Sequence, residues 1–169
     1  MRKITLFMAL FILIPALHGG QNKVEGIFQK YSGLEGATSI QLSGNLLKMM
    51  ASLDKDEGLN KIASSISSLL VLHLPKDLVE VHDLDFYREI VPYIQIDNYD
   101  EIMRMNKPGQ QVIMLARETN GSIAELILIA GGAGDNTLIC IKGDLDMNQL
   151  SSLSGISVPG MDHFINMHQ

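Results

Sequence analysis

The chain has 169 residues, and 13 Lys and Arg against 19 Asp and Glu give it a net charge of −6 at pH 7. An acidic chain without a basic stripe is a poor binder of nucleic acid, and this length suits one domain with a core of its own. Cys140 is the only cysteine, so an internal disulfide is excluded.

The first twenty residues predict a secretory signal peptide. Arg2 and Lys3 precede an unbroken apolar run over 4–14, and a proline and small residues follow up to Gly20. That run is well short of the roughly 20 residues needed to cross a bilayer, so a membrane anchor is the less favoured alternative. We expect an exported protein, periplasmic or secreted, that begins near Gln21. Its eleven basic and nineteen acidic residues would give a net charge of −8, with no lipid-attachment cysteine at the junction and no transmembrane segment.

The next part of the chain predicts helices and strands in alternation. Apolar residues at i, i+3, i+4 and i+7 favour helices, and apolar residues at alternate positions favour strands. The second helix carries a stripe of Leu46, Leu47, Met50 and Leu53, and Ser43 can cap its first turn. The predicted helices are at 22–32, 44–53 and, as a short third one, 59–65, and the predicted strands are at 37–43 and 67–74.

The middle of the chain is less regular. The stretch 79–83 is ambiguous between strand and loop. A helix is expected from Asp83 or Asp85 to Ile94, and Pro92 should kink it or end it early. We interpret 98–105 as a strand, with a helix as the alternative.

Three consecutive antiparallel strands follow, over 110–118, 122–130 and 136–142. Asn120 and Gly121 join the first pair, because both residues tolerate the positive φ of a tight hairpin turn. A final helix over 147–153 and a tail over 154–169 complete the chain. The order of elements predicts an α+β fold, a two-layer sandwich with a mostly antiparallel sheet of five to six strands and helices on one face. We expect a single domain over 21–153.

Several short motifs together resemble a known family, the domain of unknown function 4252. They are Phe28-x-x-Tyr31-Ser32, Gly36-x-Thr38-Ser39-Ile40, Tyr99-Asp100-Glu101-Ile102-Met103, Ile123-Ala124-Glu125-Leu126-Ile127 and Ile141-x-Gly143-Asp144-Leu145-Asp146. The resemblance covers residues 24–153. It implies an α+β fold in a small exported or lipoprotein domain of gut bacteria. It implies no established activity, and the family has no catalytic residues to carry over. This chain differs from the lipoprotein members in lacking the junction cysteine.

One face of the three-stranded meander is more apolar than a face open to water would be. The tail, another helix or a second molecule must cover it, and we interpret it as a binding face for a protein partner or a second copy. Glu125 interrupts this face and is expected to pair with Arg117 and Lys142 on the neighbouring strands. The residues of this predicted binding face are Ile113, Leu115, Arg117, Glu125, Ile127, Ile129 and Lys142.

Candidate chemistry is sparse elsewhere. Carboxylates and an imidazole at Glu80, His82, Asp83 and Asp85 could bind a metal ion or serve a hydrolase, although acids at a helix N-terminus have the same pattern. Cys140 is best interpreted as a small buried hydrophobe, and the methionines at 49, 50, 103, 105 and 114 as core fillers. The sequence therefore favours a binding domain without enzymatic activity or cofactor, and an ion-binding protein or hydrolase is the alternative.

Overall fold

The computed structural model describes residues 19–53, 57–94 and 99–146 of the chain. Within these ranges it contains five helices and six strands. The helices are α1 (Gly19–Tyr31), α2 (Gly44–Ser52), α3 (Glu57–Ser65), α4 (Lys76–His82) and α5 (Phe86–Ile94). The strands are β1 (Thr38–Ser43), β2 (Ile66–Leu74), β3 (Asp100–Lys107), β4 (Gln110–Thr119), β5 (Ser122–Gly132) and β6 (Asn136–Leu145).

All six strands form one antiparallel sheet in the order β1-β2-β6-β5-β4-β3. The α+β fold and the antiparallel sheet are therefore confirmed. The last strand along the chain, β6, lies between β2 and β5. Strands β1 and β3 are left at the two edges.

The hairpin between β4 and β5 turns as its sequence predicts. Asn120 has φ 55° and Gly121 has φ 82°, so both central residues occupy the left-handed region. Beyond the turn, Arg117 lies opposite Glu125 and Leu115 lies opposite Ile127. A register shift between Arg117 and Glu118 separates these pairs from the turn, so the turn and the bulge together decide which side chains share a face of the sheet.

One face of the sheet, which we call the main core face, packs against α1, α4 and α5. Its strand residues come from β2, β4, β5 and β6, and the helices contribute large apolar side chains such as Phe28, Phe86 and Ile94. Tyr31 of α1 and Phe86 of α5 also stack, with ring centroids 5.9 Å apart. The buried strand residues here are Leu70, Leu72, Leu74, Ile113, Leu115, Ile127, Ile129, Leu138 and Cys140.

The opposite face of the sheet has helices over one end only. There Ile62 of α3 packs with Ala116 and Leu126, and Leu47 of α2 lies against the same cluster. A second cluster on this face contains only strand residues among the described parts of the chain, including Val71 and Ile139. Helices therefore contact both faces of the sheet, whereas the sequence pattern placed them on one. The reason is that α2 and α3, which lie between β1 and β2 in the chain, pack against the face opposite the main core face.

Several local features differ from expectation. The stretch left ambiguous at 79–83 belongs to α4, a helix that starts after Pro75 and ends with Asp83 at φ 49°. Helix α5 continues two residues past Pro92 and ends at Ile94. The predicted signal peptide up to residue 18, the final helix over 147–153 and the tail lie outside the described residues. None of the helices within the described ranges is long and apolar enough to cross a membrane.

Candidate functional site

The predicted binding face is the main core face. Ile113, Leu115, Ile127 and Ile129 are all buried in the cluster that α1, α4 and α5 cover. The sequence left open whether the tail, another helix or a second molecule covers this face. In the structure, helices of the chain itself cover it. These four side chains fill the core and are not accessible to a partner in this arrangement.

The charged members of that face form a row across the sheet at the edge of the core. Strand register places Arg117 opposite Glu125, Glu125 opposite Lys142 and Lys142 opposite Ser68. We call these four residues the polar row. The Glu125 side chain is fully buried, and Arg117 Nη2 donates a hydrogen bond to its Oε2 over 2.8 Å. Lys142 Nζ lies 3.9 Å from Glu125 Oε1, so both predicted pairings are present.

Two further side chains reach the buried carboxylate. The Tyr99 hydroxyl donates to Glu125 Oε2 over 2.6 Å, and the Cys140 thiol donates to Oε1 over 3.2 Å. The Arg117 guanidinium also lies 5.7 Å from the centre of the Tyr99 ring. A buried carboxylate with these donors has its desolvation offset by hydrogen bonds and charge, as burial of a charge requires.

Helix α1 joins the same network through Glu25. Lys142 Nζ donates to Glu25 Oε1 over 2.6 Å. Lys142 therefore bridges a half-exposed acid on the helix and a buried acid on the sheet. The sequence missed Glu25 and Tyr99, because they come from elements whose placement on this face no local pattern reveals.

The environment of the network shifts several pKa values. Burial raises the pKa of the Cys140 thiol well above its ordinary value, and the Glu125 carboxylate adds to the shift. Burial and the hydrogen bond to Glu125 likewise raise the pKa of the Tyr99 hydroxyl. Both groups therefore stay protonated at neutral pH. A thiol held in this form is not a nucleophile.

The two cations of the network stay charged. The hydrogen bond that Arg117 donates to Glu125 raises the pKa of its guanidinium. Burial alone would lower the pKa of Lys142, but its hydrogen bond to Glu25 and the charge of Glu125 raise it overall. The network thus links α1, through Glu25, and Tyr99, directly before β3, to the charged residues in the middle of the sheet.

The acidic residues proposed as metal ligands are not brought together. Glu80 on α4 pairs with Lys76 over 3.3 Å, and Asp85 Oδ1 accepts a hydrogen bond from the backbone N–H of Arg88 in the first turn of α5. Asp83 ends α4 and His82 lies in its last turn. Within the described ranges no group of three or more His, Cys, Asp or Glu side chains is placed to hold a metal ion. Of these acids, Asp85 caps the first turn of α5 and Glu80 forms a surface ion pair within α4.

Helix α2 carries the largest group of exposed apolar side chains on any described element. The sequence predicted its stripe as core, and Leu47 does pack against the sheet. Three other stripe residues and Met49, which was expected in the core, point away from it. The exposed fractions are 37% for Leu46, 57% for Met49, 53% for Met50 and 83% for Leu53.

A polar cleft of about 450 Å³ lies between α1 and the β1–β2 pair. Helix α1 contributes Glu25, Phe28 and Gln29, Ser32 follows the helix, and the strands contribute Gln41, Ser68 and Leu70. Ser68 belongs to the polar row and Glu25 binds Lys142. The cleft therefore lies beside the buried network, at an edge of the main core that Phe28 and Leu70 form.

Comparison with known proteins gives one match. No curated protein and no solved structure is similar to the chain. The family model described as "Domain of unknown function (DUF4252)" matches residues 31–153. This range spans β1 to β6 and with them the whole sheet, and it covers well over half of the chain. The chain therefore belongs to the DUF4252 family.

Proposed function

We propose that this protein is an exported binding domain without a catalytic role, and that it contacts a protein partner through α2. The observation that carries the proposal is the exposure of Leu46, Met49, Met50 and Leu53. These positions are spaced i, i+3, i+4 and i+7, so they form one continuous stripe on the helix. Contiguous apolar surface of this kind marks sites of interaction.

The geometry of the stripe indicates what the partner offers. A helix that presents anchors at i, i+3, i+4 and i+7 suits an apolar groove on another protein. Two of the four anchors are methionines, whose flexible thioether side chains adapt to irregular pockets. We therefore infer a partner with an apolar groove about two helical turns long.

Export and the absence of catalysis rest on other observations. The apolar run over 4–14 behind Arg2 and Lys3 supports export. The only cysteine is buried and protonated, hydrogen-bonded to Glu125. Among the acidic residues around α4, Glu80 pairs with Lys76 and Asp85 caps the first turn of α5. These features favour a binding role over chemistry.

Site-specific photo-crosslinking in cells that export the chain tests the proposal. A photoreactive amino acid at Met49 should give a discrete covalent product with one protein. The same group at Lys48, which is exposed on another side of α2, should not. A product with the mass of two copies would identify the partner as a second copy of the chain.

A second set of variants tests whether the crosslinked product depends on the apolar stripe. Replacing Met50 and Leu53 with Asp should reduce the yield from position 49 at least tenfold, which corresponds to about 1.4 kcal/mol of binding free energy. Replacing Lys48 with Asp should leave the yield unchanged. No product at 49, or equal products from 49 and 48, would overturn the proposal.

A further inference from the structure

The two edges of the sheet differ in how they resist pairing with another strand. Edge strand β3 carries Asp100, Glu101, Arg104 and Lys107, and its register with β4 shifts between Glu101 and Met103. Charges and bulges on an edge are the usual means of blocking edge-to-edge association. This edge is therefore protected.

The β1 edge has neither device. Its six residues, Thr38–Ser43, are all uncharged, and each is exposed or half-buried. The six residues pair with β2 in an unbroken register from Thr38↔His73 to Ser43↔Ser68. A regular and uncharged edge presents backbone N–H and C=O groups in the arrangement that an added strand requires.

The cleft described above lies directly beside this edge. Gln41 of β1 is opposite Leu70 of β2, and both line the cleft under α1. Residues opposite one another on antiparallel strands point to the same face. A strand added outside β1 would therefore direct every second side chain toward the cleft and α1.

The polar side chains of the cleft have hydrogen-bonding capacity to offer. Within the described parts of the chain, the side chains of Gln29, Ser32, Gln41 and Ser68 make no hydrogen bond. Glu25 is already bound to Lys142. The groups on offer are thus the amides of Gln29 and Gln41 and the hydroxyls of Ser32 and Ser68, beside the apolar side chains of Phe28 and Leu70. Such a set suits an uncharged polar side chain that both donates and accepts.

We propose that β1 and the cleft bind an extended peptide by strand addition, with an Asn, Gln, Ser or Thr side chain of the peptide entering the cleft. The backbone of β1 supplies the pairing, and Gln29, Gln41 and Ser68 select the side chain. This site lies apart from the α2 stripe and does not depend on it.

A second copy of the chain is a less suitable occupant. Of the β1 side chains that share the face of Gln41, Ser39 Oγ already donates to the backbone oxygen of Ser32, and Ser43 Oγ accepts from the N–H of Leu46. A second β1 strand would bring only Gln41 to the cleft, and each Gln41 would then have to line its own cleft and enter that of the other copy at once. A peptide can place a free polar side chain there.

A library of random hexapeptides displayed on phage, selected against the full processed protein, provides the probe. Enriched peptides should share an uncharged polar residue at one position. The exchange of backbone amides in Thr38–Ser43 should slow at least tenfold when a selected peptide binds, and the amides of Asp100–Lys107 should not change. Failure of the library to enrich any sequence would overturn the proposal.

Matched edge variants give the control. Gln41→Lys should weaken binding of the selected peptide at least tenfold, since it places a charge at both the edge and the cleft. Asn106→Lys makes the same change on exposed β3 and should bind as the unmodified protein does. Gln29→Ala lies on α1, outside the strand pairing, and should weaken binding even if Gln41→Lys impairs folding.

The remaining outcomes discriminate between occupants. Equal affinity of all three variants for the peptide would overturn the proposal. A dimer in sedimentation experiments that Gln41→Lys dissociates would replace the peptide with a second copy. The double replacement of Met50 and Leu53 with Asp should leave peptide binding unchanged, so failure of the α2 proposal and failure of this one are distinguishable.

Discussion

Arg117 and Glu125 lie directly opposite each other on β4 and β5, and their side chains form a 2.8 Å hydrogen bond at the boundary of the core. Glu125 is fully buried, whereas Arg117 retains contact with water. The pair therefore places one carboxylate inside the core, with its cationic partner at the core's boundary. Tyr99, Cys140 and Lys142 complete its surroundings.

Removal of the buried carboxylate should destabilise the fold strongly. Glu125→Ala leaves Arg117 and Lys142 without their shared partner, and breaking a buried ion pair in this way costs about 3–5 kcal/mol. Urea denaturation measures the change in the free energy of unfolding. Glu101→Ala is the control, because it breaks the exposed pair with Arg104 and should change stability little. Losses of similar size in the two variants would contradict this account of Glu125.

Stability should fall at alkaline pH because a buried thiol and a half-buried phenol hold their protons in the folded state. The ordinary pKa values are 9.0 for the Cys140 thiol and 10.0 for the Tyr99 hydroxyl, and folding raises both. Below pH 9 the folded and unfolded chains bind the same protons at these groups. Above it the unfolded chain releases them first, so the free energy of unfolding falls, by up to about 1.4 kcal/mol per pH unit for each group.

Urea midpoints between pH 7 and 11 measure this fall. In Cys140→Ala the fall should begin about one pH unit later, near the ordinary pKa of tyrosine at 10.0. Tyr99→Phe should retain the early onset and lose the later component. An unchanged profile in Cys140→Ala would show that the thiol does not contribute.

Gly131 should not tolerate a side chain, because β5 and the start of α5 are in direct contact there. A methyl group at Gly131 would overlap the backbone nitrogen of Tyr87 and the carboxylate of Asp85. Backbone atoms cannot move aside cheaply, so Gly131→Ala should cost about 1–3 kcal/mol.

Gly134 provides a matched control for this substitution. It lies three residues further along, in the turn between β5 and β6, and an added Cβ meets nothing within 4 Å. Gly134→Ala should therefore change the free energy of unfolding by less than about 0.5 kcal/mol. Chemical denaturation measures the free energy of unfolding of both variants. Equal values would contradict the close contact between Gly131 and the start of α5.

The exported protein should begin at Gln21. Mass spectrometry of the protein recovered outside the cytoplasm should show the loss of residues 1–20. A chain in which Leu10 and Ile12 are replaced with Asp should keep its N-terminus and stay inside the cell, because the apolar run no longer suits the secretory pathway. Recovery of the unprocessed chain outside the cytoplasm would contradict the predicted cleavage.

The features that depend on neighbouring residues could be predicted from the sequence. The Asn120-Gly121 turn joins β4 and β5 as predicted, and strand alternation placed Arg117 and Glu125 on one face, where they lie opposite each other. Strand alternation also grouped Ile113 and Ile127 on one face. It failed at Ile123, which a register shift before Glu125 places with Ala116 in the cluster near α3. A bulge of this kind leaves no clear mark in the pattern.

The features that depend on distant contacts could not be predicted. Periodicity showed which residues of α2 share a side, but not that Met50 and Leu53 would point away from the sheet. It showed an apolar face around Leu115, but not that α1 and α5 would cover it. Helix α4 was missed because Val79 is its only fully buried residue, which is too little for a helical pattern. Helix docking over long sequence separations is not encoded in local spacing.

The central position of β6 has a consequence for the order of folding. Leu70 pairs with Cys140, and Ile127 pairs with Cys140 from the other side. The β1–β2 pair therefore cannot join the β3–β5 meander until residues 136–145 have left the ribosome. Closure of such distant contacts is slow compared with local folding. A nascent chain of this protein therefore stays without a complete sheet almost to the end of its synthesis.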